Sequence, residues 1–238
     1  MGEALLTTDR KIWKRLLIAV ACSHGFFIKM GTITALTAQV RNPDRVNVYI
    51  DGTFALGLAA MVAAGLRVGQ AITQAELEQL DRRDEVHRAR ERVLRLLARR
   101  PYSATEIKRY LRRHKIDDDI IQIVIDDLIE ANLIDDDAFA AYWVEQRETF
   151  RPRSRLALRQ ELSQKGIERE VIGEALDGID ETEAARRVAR KQAGRWRGLP
   201  EAEWRAKLTR YLVRQGFPYD VVNDVVNETW LAMKPDEE

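Results

Sequence analysis

The chain has 238 residues, a length that allows one or two domains or an array of smaller units. A 45% hydrophobic share supplies a core and excludes a disordered chain, while 6 Pro and 13 Gly exclude collagen-like and linker-like sequences. The 39 Lys and Arg nearly cancel 38 Asp and Glu, so overall charge names no partner, and the one cysteine, Cys22, excludes a disulfide framework and fits a reducing, cytoplasmic setting.

Residues 1–29 stand apart. A basic stretch (Arg10, Lys11, Lys14, Arg15) precedes an apolar run from Leu16 to Cys22. A signal peptide is one reading, but 7 apolar residues fall far short of the ~20 of a membrane span. The other reading, preferred here, is an extension outside the fold, with Met30 opening the structured part.

From Thr32 to Val40 the chain is rich in β-formers, and Asn42-Pro43-Asp44 is a turn signal. Val46, Val48 and Ile50 alternate with polar residues as in a half-buried strand. Asp51-Gly52 reads as a hairpin turn into a third strand at Phe54, Leu56 and Leu58. A short Ala-rich helix (59–66) and a turn at Gly69 follow. Three short strands need a further packing partner, most simply the start of the helical part.

Thr73 and Glu76 form a capping box, and beyond them strand signals stop. The helical part repeats itself. Leu111, Leu162 and Leu212 are anchors spaced 51 and 50 residues apart. Each has an apolar residue four positions earlier (Ile107, Leu158, Leu208). Matching residues recur at +4 (Lys115, Gly166, Gly216) and +5 (Ile116, Ile167, Phe217). The same holds at +9, +10 and +14, through Ile120-Ile121 and Ile125, Val171-Ile172 and Leu176, Val221-Val222 and Val226. The first two positions share one helix face, the +4 position ends that helix, and the later ones line the next helix. A further helix precedes each anchor, over 85–100, 137–148 and 182–196, with Asp135 and Asp180 placed to cap the second and third. The expected fold is mostly α: three tandem three-helix repeats of about 50 residues in an elongated curved array, behind a small three-strand element. The divisions are an extension (1–29), a strand-rich element (30–72), repeat 1 with its lead-in helix (73–134), repeat 2 (135–180), repeat 3 (181–232) and an acidic tail (233–238).

Charge follows the repeat. Residues 81–115 hold 13 Lys and Arg against 5 Asp and Glu, whereas 116–137 hold 9 carboxylates and no Lys or Arg. Basic stretches recur over 147–165 and 186–214, and acidic ones over 170–183 and from 220 onward. Helices one and two of each repeat are therefore basic and helix three acidic. Solvated faces and helix-dipole complementation account for the acidic clusters, less well for basic blocks in phase with the repeat. At 100° per residue, Arg109 and Arg113 lie about 200° and 240° from buried Ile107, on the solvent side. Tyr110 lies between them and Arg112 beside them, and Arg210, Tyr211 and Arg214 take the same offsets around Leu212. Repeat 2 carries its charge at Arg151, Arg153, Arg155, Arg159 and Lys165. These twelve residues are the candidate partner surface.

Chemistry is not signalled. His24, His87 and His114 lack ligand spacing, and no Walker-type or dinucleotide glycine loop is present. Asp117-Asp118-Asp119 and Asp135-Asp136-Asp137 invite a Mg²⁺ reading, but helix capping explains both. The expectation is a protein that is not an enzyme, without cofactor or metal.

The segments Val46-Asn47-Val48-Tyr49-Ile50-Asp51-Gly52 and Leu66-Arg67-Val68-Gly69-Gln70 resemble the N-terminal part of RecX proteins. So do the runs 133–140 (LIDDDAFA), 162–167 (LSQKGI) and 211–217 (YLVRQGF), so the resemblance covers about residues 31–230. Residues 1–29 have no counterpart, and Lys115 departs from the glycine of the other copies. The resemblance implies tandem three-helix repeats and a regulator of the RecA recombinase. No apolar heptad argues for a dimer, so a monomer without a membrane partner is expected. The resemblance implies that the protein binds in the groove of the RecA–single-stranded DNA filament. There it would suppress ATP hydrolysis, strand exchange and coprotease activity, by blocking growth or promoting disassembly. It supplies no catalytic residues. The competing reading is an autonomous nucleic-acid-binding repeat protein.

Overall fold

The computed structural model describes residues 30–233; the first 29 residues, with Cys22 and the signal-peptide or extension question, and the end of the acidic tail lie outside the described residues. The chain divides into two compact units that meet in sequence between Asp84 and Glu85.

The first unit is a four-stranded antiparallel sheet with the order β3-β2-β1-β4. β1 is Met30–Gln39, β2 Asn42–Ile50, β3 Thr53–Ala59 and β4 Ala71–Thr73, with a four-residue helix α1 (Ala60–Ala63) between the last two strands. The β2–β3 turn is the expected one: Asp51 (φ 49°) and Gly52 (φ 80°) are both left-handed, as a two-residue hairpin of this twist requires. The β1–β2 turn falls earlier than the Asn-Pro signal, at 40–41, because Gln39 pairs with Asn42 across a register shift that accommodates Pro43 in the strand. β4 is the strand that sequence pattern missed, since three residues are too few to show a period; it pairs Ile72 with Gly31. The sheet buries Ile33, Val48, Leu58 and Ile72 against Leu77 and Leu80 of helix α2 (Gln74–Leu97), so the helical part does supply the missing layer. Asp84, 1% exposed, accepts the Ala59 amide at 2.6 Å and pairs with Arg45 at 3.0 Å, so its buried charge is answered.

α2 starts at the expected capping box, with Thr73 N donating to Glu76 Oε2 at 2.8 Å and Glu76 N to Thr73 Oγ1 at 3.2 Å. The lead-in helix and the first helix of repeat 1 are one helix of 24 residues, since no Gly or Pro interrupts 74–97. The remaining helices are α3 (Ala104–Arg113), α4 (Asp118–Glu130), α5 (Asp136–Phe150), α6 (Arg155–Gln164), α7 (Arg169–Leu176), α8 (Glu181–Ala193), α9 (Glu201–Arg214) and α10 (Tyr219–Leu231). They form the three expected three-helix repeats. Asp135 and Asp180 cap α5 and α8 through side-chain oxygens on Ala138 N and Glu183 N, both at 2.9 Å. Asp117 holds the same position before α4 without a side-chain capping bond, and Asp118 pairs with Arg112 instead. Lys115 at φ 59° adopts the left-handed conformation of Gly166 (80°) and Gly216 (91°), so the helix-ending device survives without glycine.

All six −4 and anchor residues are 0% exposed. Each repeat has its own apolar core: one around Ile107, Leu111, Ile121 and Ile125, one around Phe139, Leu158, Leu162 and Leu176, one around Trp204, Leu208, Leu212 and Val222.

The joints between repeats are polar, and the two share a plan. Ser103 and Ser154, each 0% exposed and eight residues before an anchor, cap α3 and α6 by accepting from Glu106 N (3.1 Å) and Ala157 N (3.0 Å). The next amide, Ala104 N or Arg155 N, donates to a carboxylate in the first turn of the following repeat, Asp136 (2.9 Å) or Glu181 (3.0 Å). The left-handed glycine of the following repeat closes on the same spot. A Cβ on Gly166 would run into the Thr105 side chain, and one on Gly216 would lie 2.6 Å from Ser154 Oγ. Repeat 3 breaks the plan. Trp204, 0% exposed, stands eight residues before Leu212, where the other two repeats have the docking serine.

Candidate partner-binding site

The second helix of repeat 1 presents the cationic face that its periodicity predicts. Arg109, Arg112 and Arg113 are exposed and Tyr110 half-buried. They line a cleft of about 690 Å³ together with Leu96, Arg100, Tyr102 and Glu106. The Arg100 guanidinium lies 3.6 Å over the Tyr102 ring, which fixes one wall. Arg112 is held by Asp118 at 2.7 Å and Arg109 donates to Gln164 O at 2.8 Å, while Arg113 has no ion-pair partner among the described residues. On repeat 3, Arg210 and Arg214 are exposed in matching positions, and the Arg214 guanidinium lies 5.5 Å from the Tyr211 ring centre.

The repeat 2 candidates divide. Arg151 and Arg159 are exposed. Lys165 and Arg153 are engaged at the joints, and the Arg155 guanidinium within its own repeat. Lys165 Nζ, on a side chain 16% exposed, pairs with Glu106 of repeat 1 at 2.7 Å and lies 3.9 Å over the Trp143 ring. Arg153 donates to the Gln215 side chain of repeat 3 and lies 3.9 Å from Glu161. Arg155 reaches Asp177 at 3.8 Å. Periodicity identifies a helix face but not what the next repeat places on it, so these cations looked free in sequence. Burial pushes the Glu106 carboxyl up, but hydrogen bonds from Arg100 and Lys165 together outweigh it and hold it below the usual glutamate value. Asp136 goes the other way: burial raises its pKa, only partly opposed by the Ala104 amide. The basic helices of adjoining repeats are thus reconciled by single carboxylates, Glu106 and Glu148, the latter facing Arg187 at 3.4 Å.

A second cavity, of about 210 Å³, lies between repeats 2 and 3, with Arg151, Arg153 and Tyr211 in its lining. Arg187, Lys191 and Gln192 line it as well and had no sequence signal beyond their basic block. Among the described residues, no group of three or more His, Cys, Asp or Glu is arranged to hold a metal, and no helix is long and apolar enough to cross a membrane.

Three-helix modules joined by serine-capped polar joints and carrying arginine-rich clefts define a tandem helical-repeat protein. The family models place it further. The N-terminal domain of regulatory protein RecX matches residues 31–73, and the first, second and third RecX three-helix domains match 89–128, 135–176 and 179–226. Regulatory protein RecX of Clostridium botulinum (strain Eklund 17B / Type B) is 31% identical over 206 residues, covering 84% of this chain and 96% of the relative. That of Halalkalibacterium halodurans is 28% identical over 218 residues, covering 88% and 82%. A crystal structure of regulatory protein RecX matches with a TM-score of 0.67 at 26% identity, covering 83% of this chain and 99% of that one. The crystal structure of RecX from Lactobacillus salivarius shares the fold, with a TM-score of 0.55 at 24% identity over 62% and 98%. The chain belongs to the RecX family of regulatory proteins.

Proposed function

We propose that this protein regulates the RecA recombinase by binding the RecA–single-stranded DNA filament and inhibiting its ATPase, strand-exchange and coprotease activities. It does so as a cytoplasmic monomer without catalysis of its own. Family membership supports the recombinase as target. The observation that carries the site is the recurrence of Arg-Tyr-x-x-Arg on solvent faces of two repeats: Arg109, Arg113, Arg210 and Arg214 are all exposed. Guanidinium groups in such rows match carboxylates and phosphates alike, and a nucleoprotein filament offers both.

The test is the single-stranded-DNA-dependent ATPase of RecA, titrated with this protein at sub-stoichiometric and equimolar ratios. Inhibition well below equimolar is expected, and it favours capping or disassembly over simple filling of the groove. Reversing Arg109, Arg113, Arg210 and Arg214 to Glu should weaken inhibition at least tenfold in a folded protein. Unchanged inhibition removes these residues from the site. No inhibition by the wild type, together with tight and steeply salt-dependent DNA binding by the chain alone, overturns the reading in favour of autonomous nucleic-acid binding.

A further inference from the structure

The groove between the first and second helices occurs once per repeat, and its three versions differ. Ala89, Ala140 and Ala185, all 0% exposed, put the repeats in register, so Leu96, Arg147 and Gln192 hold one position. Tyr110, Glu161 and Tyr211, each one residue before an anchor, hold the facing position. In repeat 2 the groove is filled: Arg147 Nε pairs with Glu161 at 2.7 Å, and Trp143 Nε1 donates to the same carboxylate at 2.8 Å.

Repeat 3 has no carboxylate there. Its cavity of about 210 Å³ is lined by four cations, Arg151, Arg153, Arg187 and Lys191, and by no acidic residue. Gln192, 7% exposed, and Tyr211 line it as well. The Gln192 amide nitrogen donates to Tyr211 Oη at 3.2 Å, and its carbonyl accepts from Arg195 at 3.2 Å, which leaves one amide hydrogen uncommitted. Glu148 and Glu161 answer Arg187 and Arg153 from outside the cavity, at 3.4 and 3.9 Å. Arg151 and Lys191 have no carboxylate partner among the described residues. Like charges around so small a space repel one another, and an anion in the middle reverses the sign of that energy. Phe150, 64% exposed, adds an open aromatic ring to the lining.

We propose that this cavity between repeats 2 and 3 binds a phosphate group, either on a free mononucleotide or in the backbone of a nucleic-acid strand. Arg151 and Lys191 supply the uncommitted charge. Arginine forks meet phosphate oxygens in pairs, the Gln192 amide adds a neutral donor, and Phe150 offers a face on which a base can stack. The site shares Arg151, Arg153 and Tyr211 with the surface proposed above but does not rest on the recombinase reading. Its test uses the full chain alone, so either proposal can fail without the other.

Calorimetric titration with ADP, inorganic phosphate, a ten-nucleotide oligodeoxythymidylate and decaglutamate decides it. At least one phosphate probe should bind, and decaglutamate should bind at least tenfold more weakly. The double variant Arg151→Glu/Lys191→Glu, at two exposed positions, should lose at least tenfold in affinity with its melting temperature kept. Arg92→Glu/Arg99→Glu, with the same change in net charge elsewhere, should not. Tighter binding of the oligonucleotide per phosphate identifies a strand as the source; tighter binding of ADP identifies the free nucleotide. Absence of binding by all phosphate probes, equal binding of decaglutamate, or indifference to the first double variant overturns the proposal.

Discussion

At Gly166 two demands coincide, a left-handed backbone (φ 80°) and a space too small for a Cβ beside Thr105. Gly198 meets only the first, with φ 92° and open space around it. Gly198→Ala should therefore cost about 1–2 kcal/mol, the left-handed penalty of an L-residue. Gly166→Ala should cost more than that, because Thr105 or the helix it starts must also move. Urea denaturation of the two variants measures the difference, and equal losses would mean that the joint yields freely. Lys115 reverses the logic. It is left-handed at φ 59°, so Lys115→Gly should raise stability by roughly 0.5–1 kcal/mol. The same comparison explains the one departure from glycine in the sequence repeat. The glycines at 166 and 216 serve both the helix end and the docking of a preceding repeat, and Lys115 belongs to the first repeat.

Helices α3 and α6 begin with equivalent serines that differ in one bond. Ser154 Oγ accepts from Ala157 N, whereas Ser103 Oγ both accepts from Glu106 N and donates to Lys165 O at 2.7 Å. Ser154→Ala should cost about 1 kcal/mol, as loss of a cap. Ser103→Ala should cost about 2–3 kcal/mol, since it also strands a carbonyl of the next repeat. The same joint carries an opposed pair of titrations. Glu106, with its pKa lowered, contributes stability above the ordinary glutamate value of about 4.3 and loses it as pH falls through the folded value. Asp136, with its pKa raised, contributes when protonated and loses that contribution as pH rises through its folded value. Urea midpoints across the acid range should thus rise less steeply with pH in Glu106→Gln and more steeply in Asp136→Asn. At this scale the sequence is a good guide inside a repeat and a poor one between repeats. Leu111 and Leu162 report their own helices through spacing, so their burial was legible. Lys165 reports nothing of Glu106, 59 positions away, so its place in a joint was not. The shared offset of Ser103 and Ser154 from their anchors was the one available sign of a joint.

Over the helical unit as a whole, apolar cohesion is confined within repeats and polar contacts run between them. The clusters around Leu111, Leu162 and Leu212 do not share a buried residue. What continues from repeat to repeat is a chain of charges and amides: Arg100 to Glu106, Glu106 to Lys165, Lys165 over Trp143, Trp143 to Glu161, Glu161 to Arg153, and Arg153 to Gln215. Arrays of this kind behave as units coupled to nearest neighbours, with stability divided between intrinsic and interface contributions. Lys165→Ala removes an interface contribution while leaving every core intact, and Arg100 still answers Glu106 at 3.1 Å. Hydrogen exchange should then show protection falling in α3, α5 and α6, the helices whose residues form the first joint. Amides of α8 through α10, around Trp204 and Leu212, should keep theirs, because Arg153 and Gln215 still hold the second joint. An equal fall in all three repeats would mean that they open as one cooperative block, and that the polar chain transmits more free energy than its exposed and partly buried pairs should carry.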